Sequence, residues 1–555
     1  MHARGWTELN SCVAEGLLDP VDLIYAERLL AQTDCSLEEV AAFLSLMMGS
    51  FADGHLCFDI EKQVADPKAQ RLFDLARRGK DQLPKKIHHI LEGNEPMPLK
   101  PICSCGRNFY FQKNWIDETR FLQEFLRLLE AKPHARIEPK PHSSLLNPEQ
   151  QQAVQLAISS SISLIIGGPG TGKTFTAKHL VKQCLEGLPQ EKRKKFRIVL
   201  AAPTGKAVTH LEKQIGSVLE EEDRKSLRSG TLHALLQLRE DGSQKTETVL
   251  LADLIIIDEC SMIDAKLYGL LFSAIPSGTR VVLIGDKEQL PAVDAGSFFA
   301  DLIDAGCPAV ALKQSKRVEN VQLAELAEAI CRADVVEVMQ RFSPFMLKHP
   351  DALLKSLYEM VHAAYPAFYE TPPDPQELLA HLEGFRILSC LRQGPLGVDA
   401  INRFLHQSFQ TQLPSAGWWA IPILITRNDY SSQLYNGDAG ILMKKIDPTS
   451  KKMKLGKEDY ALFGDKKPIP ALALAPFEYA YCLSVHKSQG SEYDRVMLLV
   501  PEGAERFGKE ILYTAVTRAR HAFEVYAHEG TVEKMVPKSS RKISGLTARL
   551  QKNLV

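Results

Sequence analysis

The string Gly167-Gly168-Pro169-Gly170-Thr171-Gly172-Lys173-Thr174 constrains this chain more than any other stretch. It fits G-x-x-x-x-G-K-[ST], follows an apolar run over 162–166 and precedes a helical pattern over 175–185. Strand, loop and helix in that order are the context a phosphate-binding loop requires. Without Cβ atoms the glycines let backbone N–H groups converge on phosphate oxygens, and the helix N-terminus adds positive dipole. Lys173 is placed to reach β- and γ-phosphates, and the Thr174 hydroxyl to hold Mg²⁺. A buried strand feeding a helix in this way predicts an α/β fold built on a doubly wound parallel sheet.

At 555 residues the chain is too long for a single core, so several domains are expected. The formal net charge of −1 excludes a general polycation, and any nucleic-acid binding must use a local groove. The opening Met1-His2-Ala3-Arg4-Gly5-Trp6 begins no signal-peptide core, and no apolar run approaches bilayer length. A cytoplasmic protein with no membrane partner is expected. The 11 cysteines are scattered and odd in number, which suits reduced thiols. Cys103-Ser104-Cys105 is spaced too tightly for a zinc knuckle and reads as a turn beside Gly106.

Residues 1–140 read as a mostly helical domain, with amphipathic patterns over 20–32, 36–48 and 118–129. Ser36 and Glu39 are spaced as a capping box. The Pro- and Lys-rich stretch 132–144 reads as a linker. Over 141–315, strands at 162–166, 197–202, 254–258 and 280–284 alternate with helical patterns. A second α/β unit, 316–555, has expected strands at 385–390, 421–426, 495–500 and 522–526, interrupted by a small β-rich insertion at about 435–477.

Two further strings carry chemistry. Leu254-Ile255-Ile256-Ile257-Asp258-Glu259 ends a buried strand in two carboxylates at the edge where open α/β sheets bind ligands. Asp258 is expected to hold Mg²⁺, and Glu259 to act as the base that polarises the attacking water. Ile284-Gly285-Asp286-Lys287-Glu288-Gln289 ends another buried strand, and Gln289 there can touch the γ-phosphate or its attacking water.

In this order the strings resemble a superfamily 1 DNA helicase, which implies two RecA-like P-loop NTPase lobes with ATP and Mg²⁺ between them. Leu146-Asn147-Pro148-Glu149-Gln150-Gln151 resembles the Q-motif, with Gln150 reading adenine. Pro203-Thr204-Gly205-Lys206 resembles motif Ia, Thr231-Leu232-His233 motif Ib, and His486-Lys487-Ser488-Gln489 motif V, all of which face the DNA strand in that family. Lys313-Gln314-Ser315-Lys316-Arg317 resembles motif IV, making Arg317 a phosphate-binding arginine. Tyr513-Thr514-Ala515-Val516-Thr517-Arg518-Ala519-Arg520 resembles motif VI, making Arg518 the arginine finger.

Within the superfamily the chain is similar to the RecD family, the α subunits of RecBCD-type exodeoxyribonuclease V complexes. Gly54-His55-Leu56-Cys57, the string Leu391 to Val398, and Tyr435-Asn436-Gly437-Asp438 carry that resemblance. It implies 5′-to-3′ movement on DNA and a role in repair of double-strand ends by recombination. It also implies RecB-like and RecC-like partner subunits, with residues 1–140 docking on the RecC-like one. No nuclease cluster of acids and lysine is found in a suitable setting, so nuclease chemistry is expected in the RecB-like subunit. The β-rich insertion resembles the small SH3-like barrel that lies over the bound strand. Residues 237–251, centred on Asp241-Gly242, read either as a plain surface hairpin or as the pin that splits the duplex. A stand-alone DNA or RNA helicase and a nucleotide-gated clamp are the competing readings.

Overall fold

Long apolar runs with no polar alternation make strands buried on both faces, and the first lobe is built on these. Leu254–Ile257 and Arg280–Gly285 are buried throughout. They lie at the centre of a six-stranded sheet, ordered Leu227–Thr231, Ile198–Ala202, Leu254–Ile257, Arg280–Gly285, Ile162–Gly167, Ala309–Leu312. Every neighbouring pair is parallel. The computed structural model describes residues 5–554 except 63–66, 92, 94, 96, 139, 141–144, 240, 315–320, 343–344, 347–349, 430, 447–453 and 465.

One face of this sheet packs on Leu180, Val181 and Leu211, the other on Tyr268, Phe272 and Phe298. Helix Gln112–Glu130, from the segment expected as the N-terminal domain, sends Phe121 and Phe125 into the second of these cores. Phe121 stacks on Phe298 with ring centroids 4.7 Å apart.

Residues before this helix form helices Thr7–Ala14, Pro20–Leu30, Glu38–Ala52 and Gln70–Gly79, of which the second and third fall on the amphipathic patterns over 20–32 and 36–48. A three-stranded sheet, His88–Ile90, Ile102–Cys105 and Asn108–Phe111, was not expected. Cys103 lies within its middle strand, where burial pushes the thiol up to about 12. The expected capping box also differs. The helix begins one residue later than Ser36, with Leu37 at the N-cap, whose apolar side chain can accept no bond; Glu38 accepts the Leu9 N–H at 2.9 Å.

The second lobe has a parallel sheet ordered Phe345–Met346, Ala519–Ala527, Tyr493–Val500, Phe385–Ser389, Cys482–Ser484. The run over 421–426, expected as a strand of this sheet, is instead part of Gly417–Ile425 in a separate antiparallel sheet. An unbroken apolar run does not distinguish a central parallel strand from one buried between a sheet and a helix. That antiparallel sheet joins Phe368–Tyr369, Gly417–Ile425, Ala439–Ile446, Tyr460–Leu462 and Ile469–Pro470, with Phe477–Tyr479 also on Gly417–Ile425. It therefore extends beyond 435–477 on both sides. After Ala519–Ala527 the chain returns to the first lobe, and Leu546 and Leu550 of helix Leu546–Leu554 enter the Phe121 core. Among the described residues no helix is long and apolar enough to cross a membrane.

His406, on helix Val398–Thr411, is 7% exposed and stacks on Tyr479 at 3.7 Å and Trp419 at 4.8 Å. Burial lowers its pKa to about 4. As pH falls from about 6.5 towards 4 the unfolded chain takes up a proton here that the fold refuses, so stability is lost over that window. We expect a loss of up to about 3 kcal/mol from this group. Urea denaturation of the wild type and His406→Phe at pH 7 and pH 4.5 reads it as the difference in their pH slopes.

Candidate nucleotide site between the lobes

The phosphate loop turns from Ile162–Gly167 into helix Lys173–Glu186. Gly170 and Gly172 have φ of 76° and 85°, a region that L side chains rarely adopt. A Cβ on Gly172 would also stand 2.6 Å from Gln150 Nε2. Lys173 Nζ donates to Gly167 O at 2.7 Å and Gly168 O at 3.0 Å, so the ammonium sits in the mouth of the loop. Thr171 Oγ1 donates to Gly168 O at 2.8 Å.

Gln150 is fully buried and lies behind this loop. Its Nε2 donates to Thr171 O at 3.4 Å, and its Oε1 accepts the Asn147 N–H at 3.2 Å. The second bond closes a capping box on helix Pro148–Ser159. The carboxamide thus ties the loop, at Thr171, to the N-terminus of this helix.

A cavity of about 580 Å³ opens in front of the loop, lined from the first lobe by Lys173, Thr174, Asp258, Glu259 and Gln289. Arg518 and Arg520 line it from the second lobe. Glu259 caps a short 3-10 turn with φ of 53°. A non-glycine residue there costs about 1–2 kcal/mol, which aims its carboxylate into the cleft. Burial raises the pKa of Glu259, reinforced by Asp258 and opposed by the charges of Lys173 and Arg518. Asp258 is also raised by burial, against Lys173 and the Glu259 N–H it accepts at 2.8 Å.

Gln289 is 4% exposed; its Nε2 donates to Asp286 Oδ2 at 3.3 Å, and its Oε1 has no partner among the described residues. Leu290 beside it is held by the second lobe: its N–H donates to Thr514 Oγ1 at 3.0 Å, and its carbonyl accepts from Gln489 Nε2 at 3.3 Å. Tyr513 OH donates to Asp286 Oδ2 at 3.0 Å. Arg518 is held in place by Thr514 O at 3.2 Å and Ser491 O at 3.1 Å. Arg317 lies outside the described residues.

The loops expected to face a strand are partly consumed by the fold. Thr204 caps helix Gly205–Gly216 by accepting the Ala207 N–H, and Thr231 caps Leu232–Leu235 in the same way. Ser488 is fully buried, and Gln489 makes the bond to Leu290 described above. Lys206 Nζ donates to Ser491 Oγ of the second lobe at 2.9 Å and lines the nucleotide cavity. Lys487 pairs with Glu478 at 2.6 Å. His486 packs near Phe507. His233 lines a different cavity, under the hairpin that pairs Leu238 with Gln244. Gly205 lies against the Tyr435 ring, where a Cβ would come within 2.4 Å, so Pro203 to Lys206 meet the second lobe closely.

The residues that sequence reasoning missed are Tyr513, Thr514, Asp286 and Arg520. Three of the four lie within the motif VI string; Tyr513 and Thr514 are explained by their partners across the cleft, Asp286 and Leu290, while Arg520 pairs with Glu492 and Asp494 of its own lobe.

A family model described as an AAA domain matches residues 145–343, and one described as a UvrD-like helicase C-terminal domain matches 479–525. The chain is 31% identical to the RecBCD enzyme subunit RecD of Mycolicibacterium smegmatis, over 96% of this chain and 98% of that one. It is 30% identical to the same subunit of Mycobacterium tuberculosis, over 97% and 95% of the two chains. The ATP-dependent RecD2 DNA helicase of Deinococcus radiodurans is 26% identical, over 79% of this chain and 58% of its own length. Among solved structures, the Pif1 helicase from Bacteroides in complex with ADP-AlF3 and ssDNA matches 71% of this chain and 94% of that chain at 17% identity, with a TM-score of 0.40. By its likeness over nearly the full length of both mycobacterial proteins, the chain belongs to the RecD family of RecBCD enzyme subunits.

Proposed function

We propose that this chain is an ATP-dependent, 5′-to-3′ DNA helicase, the motor subunit of a RecBCD-type complex that processes double-strand DNA ends in recombination repair. One observation carries this reading: Lys173, Thr174, Asp258, Glu259 and Gln289 of one lobe share a single cavity with Arg518 of the other. Residues on both walls make catalysis depend on how the lobes sit together.

ATP is the fuel. Lys173 exchanges its two loop carbonyls for β- and γ-phosphate oxygens. The raised proton affinity of Glu259 suits a base that takes a proton from the attacking water. Gln289 offers its unpartnered Oε1 as acceptor to a proton of that water, and its Nε2 is the end that can donate to the γ-phosphate. Arg518 neutralises charge that develops on the γ-phosphate, with Arg317 as a second cation. Thr174 and Asp258 are hard oxygen donors on the same cavity wall, which fits Mg²⁺ held by one carboxylate, one hydroxyl and substrate phosphates. When bound, the ion supplies charge neutralisation on the β- and γ-oxygens. Gln150, Gly167, Gly168, Pro169, Gly170, Thr171 and Gly172 shape the loop that binds the triphosphate.

Movement on DNA follows from the cross-lobe bonds. Gln489 adjoins the His486–Ser488 turn on the proposed strand side and binds Leu290 beside Gln289. Closing the cleft therefore shifts a strand-facing loop directly. Pro203 to Lys206, Thr231 and His233 are the proposed first-lobe grips, with affinity supplied mainly by backbone phosphates. Single-stranded DNA should stimulate ATP hydrolysis at least tenfold more than RNA of the same length. Equal stimulation would favour the RNA-helicase reading instead.

RecB-like and RecC-like subunits are the proposed partners in the cytoplasm, with bond cleavage in the RecB-like one. Docking through the N-terminal helices is supported by an exposed apolar stripe on helix Pro20–Leu30: Val21, Ile24 and Tyr25 are 54%, 41% and 49% exposed at spacings that share one face. Val21→Glu with Tyr25→Glu should abolish co-purification with a RecC-like protein and leave ATP hydrolysis intact. Deleting residues 1–140 is a poorer test, because it would remove Phe121 and Phe125 from the first-lobe core.

A further inference from the structure

The second lobe is tied to the first by a C-terminal segment as well as by the chain between them. Helix Lys509–Val516 carries Tyr513 and Thr514 and leads into Arg518. Its first turn is bonded to residues 538–540. The Glu510 carboxylate accepts Ser539 Oγ at 2.6 Å and the Ser540 N–H at 2.7 Å. The Lys509 N–H donates to Lys538 O at 2.9 Å, and the Gly508 N–H to Ser540 Oγ at 2.8 Å.

One residue later the chain belongs to the other lobe. Arg541 pairs with Asp301 at 2.7 Å and with Asp304. Ser544 Oγ donates to Asp301 Oδ2 at 2.6 Å, and Lys542 Nζ donates to the carbonyls of Val293 and Asp294. Further on, Arg549 pairs with the fully buried Glu118 at 3.0 Å and lies 4.0 Å above the Trp115 ring. The Gly545 N–H donates to the other Glu118 oxygen at 3.0 Å.

This path also gives the string Gly54-His55-Leu56-Cys57 a structural task. His55 Nδ1 accepts the Ile543 N–H, and the Leu56 N–H donates to Ile543 O, both at 2.8 Å. Gly54 has φ of +85°, and a Cβ there would stand 2.6 Å from Lys542 Nζ. The string is the seat on which the returning chain lies.

The first-lobe segment from Asp286 to Asp301 is thus held at two places: near its start by Thr514 and Gln489 of the second lobe at Leu290, and from Val293 to Asp301 by the chain that returns from the second lobe. Gln289 lies in this segment. We propose that residues 538–550 are a strap that positions the Gln289 loop against the helix leading into Arg518, and that the Ser540–Arg541 junction, where adjacent residues bond to different lobes, sets how far the nucleotide cleft opens. Glu510, Arg541 and His55 are positioning residues for hydrolysis: they act through the Gln289 loop and the Arg518 helix without touching the nucleotide. The hydrolytic consequence rests on the function proposed above; the mechanical coupling does not.

The test slackens the tether without undocking it. A linker of about twelve Gly and Ser residues between Ser540 and Arg541 spans roughly 20 Å as a random coil and leaves every strap contact available. Hydrogen exchange at the Leu290 amide reads the cross-lobe bond with no need for turnover. We expect it to exchange at least about tenfold faster in the linker variant, while core amides of Arg280–Gly285 stay as protected as in the wild type. The KM for ATP should rise at least about threefold, since closure must now order a slack connection. Unchanged Leu290 protection would overturn the proposal and leave the segment a mere plug in the first-lobe core. If the linker variant fails to fold, a chain with a protease site at the same junction, cut after folding, gives the same two readings. A wild-type chain without ATPase activity would count against the proposed function, while Leu290 exchange would still decide on the strap.

Discussion

Lys173→Gln should reduce DNA-stimulated ATP hydrolysis by on the order of 10³-fold, about 4 kcal/mol of transition-state stabilisation. The ammonium is held at the mouth of the phosphate loop by the carbonyls of Gly167 and Gly168; among the described residues the other lysine and arginine side chains that line the cavity are Lys206 of the first lobe and Arg518 and Arg520 of the second. Glutamine keeps the reach and a donor but removes the charge that the β- and γ-phosphates require. The fold should survive, since Lys173 is only partly buried and bonds only to its own loop. Steady-state turnover with single-stranded DNA, alongside the melting temperature, checks both halves. A variant keeping more than about a tenth of wild-type turnover would remove Lys173 from the reaction.

Arg518→Ala should cost about 10³-fold in kcat, the low end of what a cis or trans arginine contributes to phosphoryl transfer. The guanidinium is 3% exposed and bonded to Thr514 O and Ser491 O, so its position is set before the nucleotide arrives. Its loss also frees Glu259 from one of the two cations that oppose its raised pKa. Glu259 should then titrate higher still, and the acid limb of the residual activity should move to higher pH. Arg518→Lys keeps a charge but loses the planar fork, and should recover only a small part of the rate. Single-turnover hydrolysis separates these effects from ATP binding, which Arg518→Ala should change far less than kcat.

The first-lobe half of the chemical centre was legible in the sequence because each part of it follows a run of bulky apolar residues. Such runs become central strands, and their C-terminal ends converge on one edge of a parallel sheet. That places Lys173, Asp258 and Gln289 on one cavity wall. The edge strands were not legible. Leu227–Thr231 and Ala309–Leu312 are half-exposed and carry Arg, Ser, Gly and Ala, with too little apolar pattern to stand out. Strand Gly417–Ile425 was legible as a strand but not as to its sheet, since burial on both faces reads alike in either setting.

The tasks of the polar residues were least legible, because partners distant in sequence decide them. Gln150 braces the phosphate loop from below, and Gln489 binds Leu290 across the cleft. Ser488 and Thr231 spend their hydroxyls on local backbone. The strap shows the same limit on a larger scale: Arg549 and Glu118 are unremarkable charges until the fold buries them together. A helical pattern near the C-terminus says nothing about which lobe it will join.

In the function proposed here, hydrolysis between these lobes moves the chain along DNA. Strand displacement on duplexes with a 5′ or a 3′ overhang tests it most directly, run with the wild type and Lys173→Gln, with and without RecB-like and RecC-like subunits. We expect ATP-dependent separation of the 5′-overhang duplex by the wild type, little on the 3′-overhang duplex, and none with Lys173→Gln acting alone. Equal separation by the variant, or hydrolysis by the wild type with no displacement in any combination, would contradict it.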